Sequence, residues 1–263
     1  MAAEEEQLID GASALRVADL DPAMSALSGT REAAERRAGK PRGALYPMER
    51  VRRRDDARLG YRFVKRAFDI SFSLAVLLVA FIPGAVLALA IRLETPGSPF
   101  YGQERCGRLG PDGRPRNFKI WKFRSMVKDA DRQLDALLDR NEAEGPMFKM
   151  EHDPRVTRIG RFIRRHSIDE FPQFVNVLLG DMSVVGPRPP LPREVAEYDA
   201  WAMQRLAVKP GLTGPWQVGG RSDVGFDDMV RLDLGYIAKR SVRTDLIIIL
   251  QTVGVVFTGK GAR

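Results

Sequence analysis

The longest apolar run of the chain extends from Ile70 to Ile91, ISFSLAVLLVAFIPGAVLALAI, 22 residues without a charge. A core helix of a soluble domain rarely continues so far without a polar face, whereas about 20 apolar residues match the hydrocarbon core of a bilayer. The pattern therefore predicts a helix that inserts into a membrane.

Basic residues and one proline determine how this run is interpreted. The flanking cations are Arg62, Lys65 and Arg66 on one side and Arg92, Arg105 and Arg108 on the other. Because positive charge favours the cytoplasmic side, both ends are drawn to the same face of the membrane. Pro83 removes a helical hydrogen bond near the middle of the run and favours a kink. We predict a re-entrant helix–break–helix over 61–95, with a tilted spanning helix as the alternative.

Residues 96–263 show the mixed periodicities of one globular domain. Alternation from Phe118 to Arg124 predicts a half-buried strand. Helices are predicted over 127–141, from Asp153-Pro154 to about Arg165, over FPQFVNVLLGD with Gly180 as its C-cap, over 193–206 and over 226–239. VVGPRPPLP is predicted to be extended loop, VKPGLTGPWQVGGR loop and strand, and Leu246 to Phe257 a helix on the core or in the membrane interface. The fold class is therefore α+β, a mostly helical domain with a small sheet.

The net charge of the chain indicates an anionic partner. The chain has 263 residues, 42 Lys and Arg against 34 Asp and Glu, and a formal net charge of +8. Nucleic acid, an anionic membrane face and phosphorylated substrates all fit this balance. Residues 1–60 predict a mobile charged arm whose basic second half, next to the apolar run, contacts anionic membrane lipid. The acidic N-terminus lacks the pattern of a secretory signal, so the domain is predicted to stay in the cytoplasm.

Cysteine and histidine usage excludes several kinds of site. The single cysteine, Cys106, cannot form an intrachain disulfide, and the two histidines and Cys106 form no zinc-binding pattern. P-loop and Rossmann glycine fingerprints are also absent from the sequence, which argues against a standard NTPase or dehydrogenase.

Two adjacent carboxylates, Asp169 and Glu170, lie in the segment RRHSIDEFPQ. Ser167-x-x-Glu170 matches a capping box, in which both side chains satisfy free N–H groups of a helix. Pro172 makes the register ambiguous, because it fits the first helical turn only if the helix begins later than Ser167. A helix N-terminus beside arginines also favours an ionised carboxylate, attracts phosphate and suits Mg²⁺. An ionised Asp there can attack phosphorus.

Several basic or polar residues are candidates to bind a phosphorylated substrate. Gly186-Pro187-Arg188-Pro189 places Arg188 in a stiff loop, where its guanidinium can bind phosphate in a bidentate manner. Lys119, Lys122 and Arg124 project from the predicted strand. Trp216, Gln217 and Arg221 could contact a nucleobase. Each has an alternative structural interpretation, as an exposed loop or strand residue or, for Trp216, as part of the core.

Six blocks occur in a fixed order: KRAFDISFSLAVLLVAFIPGAVLALAI, FYGQERCGRLG, FKIWKFRSM, HSIDEFPQFVNVLLGDMSVVGPRPP, VKPGLTGPWQVGGR and RLDLGYIAKRSVRTDLIIILQT. Together, over about residues 61–263, they resemble the monotopic phosphoglycosyl transferases, bacterial enzymes that start glycan assembly on polyprenyl phosphate. One departure concerns the membrane break, where members often carry Ser-Pro and this chain carries Ile82-Pro83.

The resemblance implies a membrane re-entrant helix, an active site on the cytoplasmic face of the bacterial inner membrane, and a Mg²⁺-dependent ping-pong reaction. Asp169 would be the nucleophile on a UDP-sugar and a metal ligand, UMP would leave, and undecaprenyl phosphate would accept the hexose-1-phosphate. Glu170 would complete the catalytic dyad and Arg188 would bind phosphate. Lys122, Arg124, Gln217 and Arg221 would line the nucleotide-sugar site.

The expected partners are thus UDP-sugar, undecaprenyl phosphate and anionic lipid, with a homodimer possible and no nucleic acid. The small architecture resembles members that initiate exopolysaccharide, for which glucose or galactose is the expected sugar. Two alternatives stay open at this point: a membrane-anchored basic adaptor that binds anionic partners without catalysis, and a transferase without a covalent intermediate.

Overall fold

A computed structural model describes residues 58–142, 150, 152–219 and 225–258. Nearly all of the predicted arm 1–60, and Arg221, lie outside the described residues. The first element is α1, Leu59–Glu94. Within the described part of the chain, α1 is the one helix long and apolar enough to cross a membrane. It continues through Pro83 without an interruption in its secondary structure, so the re-entrant break stays a prediction.

The N-terminal part of α1 is attached to the globular domain, meaning the described residues from Pro96 onward. Lys65 Nζ forms an ion pair with Asp245 at 2.8 Å and donates to the carbonyl oxygen of Val185 at 3.0 Å. The buried Asp69 carboxylate accepts the Val184 N–H at 2.9 Å and the Ser183 hydroxyl at 3.1 Å. These contacts connect α1 to a strand that leads into the GPRP segment.

The C-terminal part of α1 is attached to the same domain. Arg124 donates to the carbonyl oxygens of Ile91 and Thr95, at 3.3 and 2.6 Å, at the C-terminal end of the helix. Ile91 packs in a small core with Phe123 and Ile163. The outward side of α1 is exposed and apolar, with Leu78, Phe81, Ile82, Leu89 and Leu93 all more than half exposed.

The predicted strand is confirmed as one half of an antiparallel hairpin. Strand β1, Phe100–Leu109, pairs with β2, Pro115–Phe123. Side chains on β2 alternate between faces, so Lys122 lies on the same side as the buried Ile120. A second, parallel pair joins β3, Ser183–Val185, to β4, Gly211–Thr213. The predicted small sheet is thus two separate pairs of strands.

The helices confirm some predicted boundaries and correct others. They are α2 Arg158–Arg165, α3 Gln173–Leu179, α4 Pro192–Ala196, α5 Pro215–Val218, α6 Phe226–Lys239 and α7 Val242–Thr258. Helix α6 has the predicted bounds, and Gly180 ends α3 with φ 93°. The helix predicted over 127–141 is instead two 3₁₀ segments, Ala130–Gln133 and Asp135–Arg140. The region 193–206 is α4 and a 3₁₀ segment, Ala202–Ala207.

Arg155 corrects a prediction about α2. The helix predicted from Asp153-Pro154 to about Arg165 includes it, but α2 begins at Arg158, with the Thr157 hydroxyl accepting the Gly160 N–H at 2.9 Å. Arg155 is buried before the helix and forms an ion pair with Asp153 at 2.6 Å. A local partner two residues away therefore outweighs the helical periodicity.

Candidate active site

The acidic pair lies on a single 3₁₀ turn, Ile168–Glu170, between α2 and α3. Ser167 precedes it in the left-handed conformation, φ 55°, and its side chain makes no capping hydrogen bond. The capping-box prediction is therefore wrong. Helix α3 begins only at Gln173, with Pro172 as its N-cap residue. A later start is what the missing proline N–H requires, and it leaves both carboxylates ahead of the helix.

Asp169 is almost completely buried, with 8% of its surface exposed. Burial raises the pKa of its carboxyl to about 6, against opposing effects of Lys122 and Arg164, and the negative charge of Glu170 adds to the rise. Most of the Asp169 population is still ionised at pH 7. A carboxylate of raised pKa is also a stronger nucleophile than an ordinary one, since basicity and nucleophilicity rise together.

The pKa of Glu170 is shifted in the opposite direction, below its usual value. Its carboxylate accepts a hydrogen bond from Lys122 Nζ at 2.8 Å. Burial opposes ionisation most strongly, yet Lys122, Arg188 and Arg105 together hold the pKa of Glu170 below its usual value. Two adjacent carboxyl groups with pKa values displaced in opposite directions are typical of an acid–base or nucleophilic site.

The GPRP segment is held by backbone contacts on both sides. A Cβ on Gly186 would lie 2.8 Å from the Gly211 nitrogen, so only glycine permits this approach of β3 to β4. The carbonyl oxygen of Pro187 accepts the Gly211 N–H at 2.9 Å, and that of Pro189 accepts a hydrogen bond from Arg105 at 3.0 Å. The Arg188 side chain contacts Glu194 at 3.4 Å. Arg188 is thus placed by a rigid loop, close enough to Glu170 to lower its pKa.

Two residues of this site, Arg105 and Glu194, were missed by the sequence reasoning. Arg105 is 6% exposed and both anchors the GPRP segment and favours ionised Glu170. Arg164, one of the arginines that the sequence reasoning placed beside the carboxylates, favours ionised Asp169. Glu194 binds Arg188. The position of Arg105 within the block FYGQERCGRLG was the one available signal, since an arginine amid buried strand residues requires a partner.

Arg124 and Gln217, which the sequence predicts to bind substrate, make their described contacts away from the acidic pair. Arg124 directs its guanidinium to the carbonyl oxygens of Ile91, Thr95 and Pro96. It therefore caps α1, and its contact with substrate stays a prediction. Gln217 lies in α5, and its Nε2 donates to the carbonyl oxygen of Leu212 in β4 at 2.9 Å.

A divalent cation is compatible with the acidic pair. Among the described residues, no three or more His, Cys, Asp or Glu side chains lie together as a metal-binding group. Mg²⁺ needs only one or two carboxylates, with water and substrate phosphate completing its octahedral shell. Asp169 and Glu170 supply such a pair of oxygen donors.

The described residues thus combine a long apolar helix with a pair of carboxylates. Arginines and a lysine lie around this pair. The family model described as bacterial sugar transferase matches residues 60–259. The chain belongs to this family of sugar transferases.

Curated relatives support the same assignment. The galactosyl transferase CpsE of Streptococcus agalactiae serotype III (strain NEM316) is 46% identical over 200 residues, 76% of this chain and 43% of CpsE. The undecaprenyl-phosphate galactose phosphotransferase of Salmonella typhimurium (strain LT2) is 41% identical over 211 residues, 78% of this chain and 43% of that protein. The exopolysaccharide production protein ExoY of Rhizobium meliloti (strain 1021) is 38% identical over 203 residues, 75% and 87% of the two chains. The chain thus matches less than half the length of the first two relatives and most of ExoY.

Proposed function

We propose that this protein transfers a hexose-1-phosphate from a UDP-sugar to undecaprenyl phosphate, with release of UMP and through a covalent phosphosugar–aspartyl intermediate. The observation that carries the proposal is the buried Asp169, whose pKa is raised to about 6, beside a Lys122–Glu170 ion pair and the rigid Arg188 loop. The names of the Salmonella relative and of ExoY support undecaprenyl phosphate as acceptor and exopolysaccharide as the pathway.

In the first half-reaction, an Asp169 carboxylate oxygen attacks the sugar-bearing phosphorus of the UDP-sugar. A P–O bond forms to Asp169, the bond from that phosphorus to the bridging oxygen breaks, and the electron pair leaves with UMP. Arg188 and Lys122 are placed to offset the charge of the phosphoryl oxygens. Mg²⁺ held by Asp169 and Glu170 would supply further charge neutralisation.

In the second half-reaction, a phosphate oxygen of undecaprenyl phosphate attacks the same phosphorus. The bond to Asp169 breaks, its carboxylate is restored, and undecaprenyl-diphosphate hexose leaves. Glu170, held ionised by Lys122, Arg188 and Arg105, can accept a proton from an acceptor that arrives as its monoanion. Both substrates thus use one carboxylate in turn, which is the requirement of a ping-pong mechanism.

We further propose that α1 enters and leaves the cytoplasmic leaflet of the bacterial inner membrane, turning near Pro83. The 22 residue steps from Asp69 to Ile91 rise roughly 33 Å, about the full thickness of the hydrocarbon core. Both positions nevertheless contact the same globular domain. A straight crossing would separate these contacts across the bilayer, so a helix that returns to its starting face fits them better.

Accessibility labelling tests this topology. In a Cys106→Ser background, we expect Gly60→Cys and Ser98→Cys to react with an impermeant maleimide only after the inner membrane is opened. Gly60 has open space at its Cβ position and Ser98 is exposed, so neither change disturbs packing. Reaction of one site in intact spheroplasts and of the other only after lysis would show a crossing and refute the re-entrant proposal.

Covalent trapping tests the reaction. Incubation of the purified protein with UDP-sugar labelled in the sugar, Mg²⁺ and no acceptor should leave label on Asp169 in rapid-quench samples, with one UMP released per labelled chain. EDTA should prevent labelling, and undecaprenyl phosphate should remove the label as a lipid-soluble product. Turnover without any trapped label would support a direct transfer, whereas binding without UMP release would support the adaptor alternative.

The sugar is the remaining variable of the proposal. UDP-galactose and UDP-glucose are the first candidates, and the galactose named for two relatives favours the former. The same UMP assay with a panel of UDP-hexoses and N-acetylhexosamines ranks them by kcat/KM.

A further inference from the structure

An apolar groove of about 470 Å³ lies between α1 and the turn that carries the acidic pair. One wall is α1, through Ala80, Gly84, Leu87 and their neighbours, and the opposite wall is formed by Phe123, Ile168 and Phe171. Among the described residues, none with a charged or hydrogen-bonding side chain lines it. Its volume is within the range of about 300–1,000 Å³ that ligand-binding clefts occupy.

The groove is lined by the same turn of the chain that carries the acidic pair. Ile168 directly precedes Asp169, and Phe171 directly follows Glu170. A molecule in the groove therefore contacts the two residues that flank the acidic pair on this turn. The other wall belongs to the most apolar helix of the described chain, whose outward side is exposed. The groove thus lies between the turn that carries the acidic pair and a surface suited to lipid.

The two substrates differ in what they require around the phosphate. A nucleotide sugar is polar along its whole length and fits the side occupied by Lys122 and Arg188. An apolar groove would leave its hydroxyl groups and base without hydrogen bonds, which is costly. An acceptor with a phosphate at one end and a hydrocarbon chain at the other fits the apolar groove beside this turn.

We propose that this groove binds the isoprenoid units nearest the phosphate of the polyprenyl phosphate acceptor. The proposal rests on the proposed function and adds the route by which the acceptor reaches Asp169. The acceptor approaches from the α1 side while the nucleotide sugar occupies the Lys122 and Arg188 side. The aromatic rings of Phe123 and Phe171 provide flat apolar surfaces for a branched, unsaturated chain.

A pair of substitutions on α1 tests the groove. Ala80→Phe fills it, while Ala85→Phe adds the same ring at an exposed position of α1 that does not line it. We expect Ala80→Phe to raise the KM for polyprenyl phosphate at least tenfold, and Ala85→Phe to leave it within about twofold of wild type. Formation of the labelled intermediate from UDP-sugar should be retained in both variants, which also reports that they fold.

The outcomes separate this proposal from the proposed function. Absence of label in the wild-type protein would refute the covalent transferase, whereas normal labelling with equal KM values in the two variants would refute the groove alone.

Photo-crosslinking of the wild-type protein avoids dependence on any substitution. A diazirine on the first isoprene unit of farnesyl phosphate should label peptides containing Ala80–Leu87 or Ile168–Phe171. Labelling there by a diazirine phosphatidylglycerol that polyprenyl phosphate fails to displace would assign the groove to bulk lipid and overturn the proposal.

Discussion

Replacement of Asp169 by Asn is expected to reduce UMP release from UDP-sugar at least a thousandfold and to abolish covalent labelling. The amide preserves the shape of the side chain but cannot form an acyl phosphate, and loss of a nucleophile commonly costs more than any other single change. The measurement is single-turnover UMP release with Mg²⁺ and the preferred UDP-sugar. Turnover within tenfold of wild type would exclude Asp169 as the nucleophile.

The same variant should be more stable than the wild type at neutral pH. Burial raises the pKa of Asp169 from 3.8 to about 6, so the ionised carboxylate weakens the fold above pH 6 and has no such effect below about pH 4. At roughly 1.36 kcal/mol per pKa unit, the Asp169→Asn substitution removes a cost of about 2 to 3 kcal/mol. Urea unfolding measures this gain. The urea midpoint of the variant should exceed that of the wild type by more at pH 7.5 than at pH 4. A cooperative transition of the variant would also show that the inactive protein is folded. An equal difference at both pH values would contradict the raised pKa.

The pKa of Asp169 also sets the pH dependence of the first half-reaction. Only the ionised form can attack phosphorus, so the rate of label formation should fall to half near pH 6 and then about tenfold per pH unit. Rapid-quench measurements from pH 5 to 8 give this profile. The Glu170 pKa is lowered, so its titration should not contribute in the same range.

Features that depend only on residues close together in the sequence were predictable from it. The bounds of α6, the glycine at the end of α3 and the effect of Pro172 each follow from backbone geometry alone. The adjacency of Asp169 and Glu170 and the rigid setting of Arg188 were predictable for the same reason. These features required no knowledge of distant contacts.

Features that depend on tertiary partners were not predictable. Ser167 matches a capping box, but its left-handed backbone carries the chain from α2 into the 3₁₀ turn, so the hydroxyl cannot cap. Arg124 has the charge of a substrate ligand, and in the structure its guanidinium donates to the carbonyl oxygens of Ile91 and Thr95 at the end of α1. Lys122 and Arg124 are only two residues apart in the sequence. Lys122 forms an ion pair with the Glu170 carboxylate, whereas Arg124 donates to carbonyl oxygens at the end of α1. Only the position of α1 decides between these roles.

Arg205 is expected to give the largest stability effect in the described part of the chain. It forms an ion pair with Asp233 at 2.7 Å, with both side chains 1% exposed or less. Arg205→Met leaves a buried carboxylate without its partner, which typically destabilises a fold by about 3–5 kcal/mol. Urea unfolding of the detergent-solubilised protein measures this loss. A change below about 1 kcal/mol would show that water or rearrangement compensates the charge.

The double substitution Arg205→Met/Asp233→Leu separates stability from catalysis. A well-packed apolar pair often matches a buried ion pair, so most of the lost stability should return. Activity should not return to the same degree, because Arg205 also donates to the Tyr198 hydroxyl at 2.7 Å and to the carbonyl oxygen of Arg188 at 3.5 Å. A displacement of about 1 Å in a positioning loop can cost up to a hundredfold in rate. A stable double variant with a lowered kcat/KM for UDP-sugar would therefore identify the buried pair as the support of the Arg188 loop, whereas full recovery of both properties would limit its role to folding.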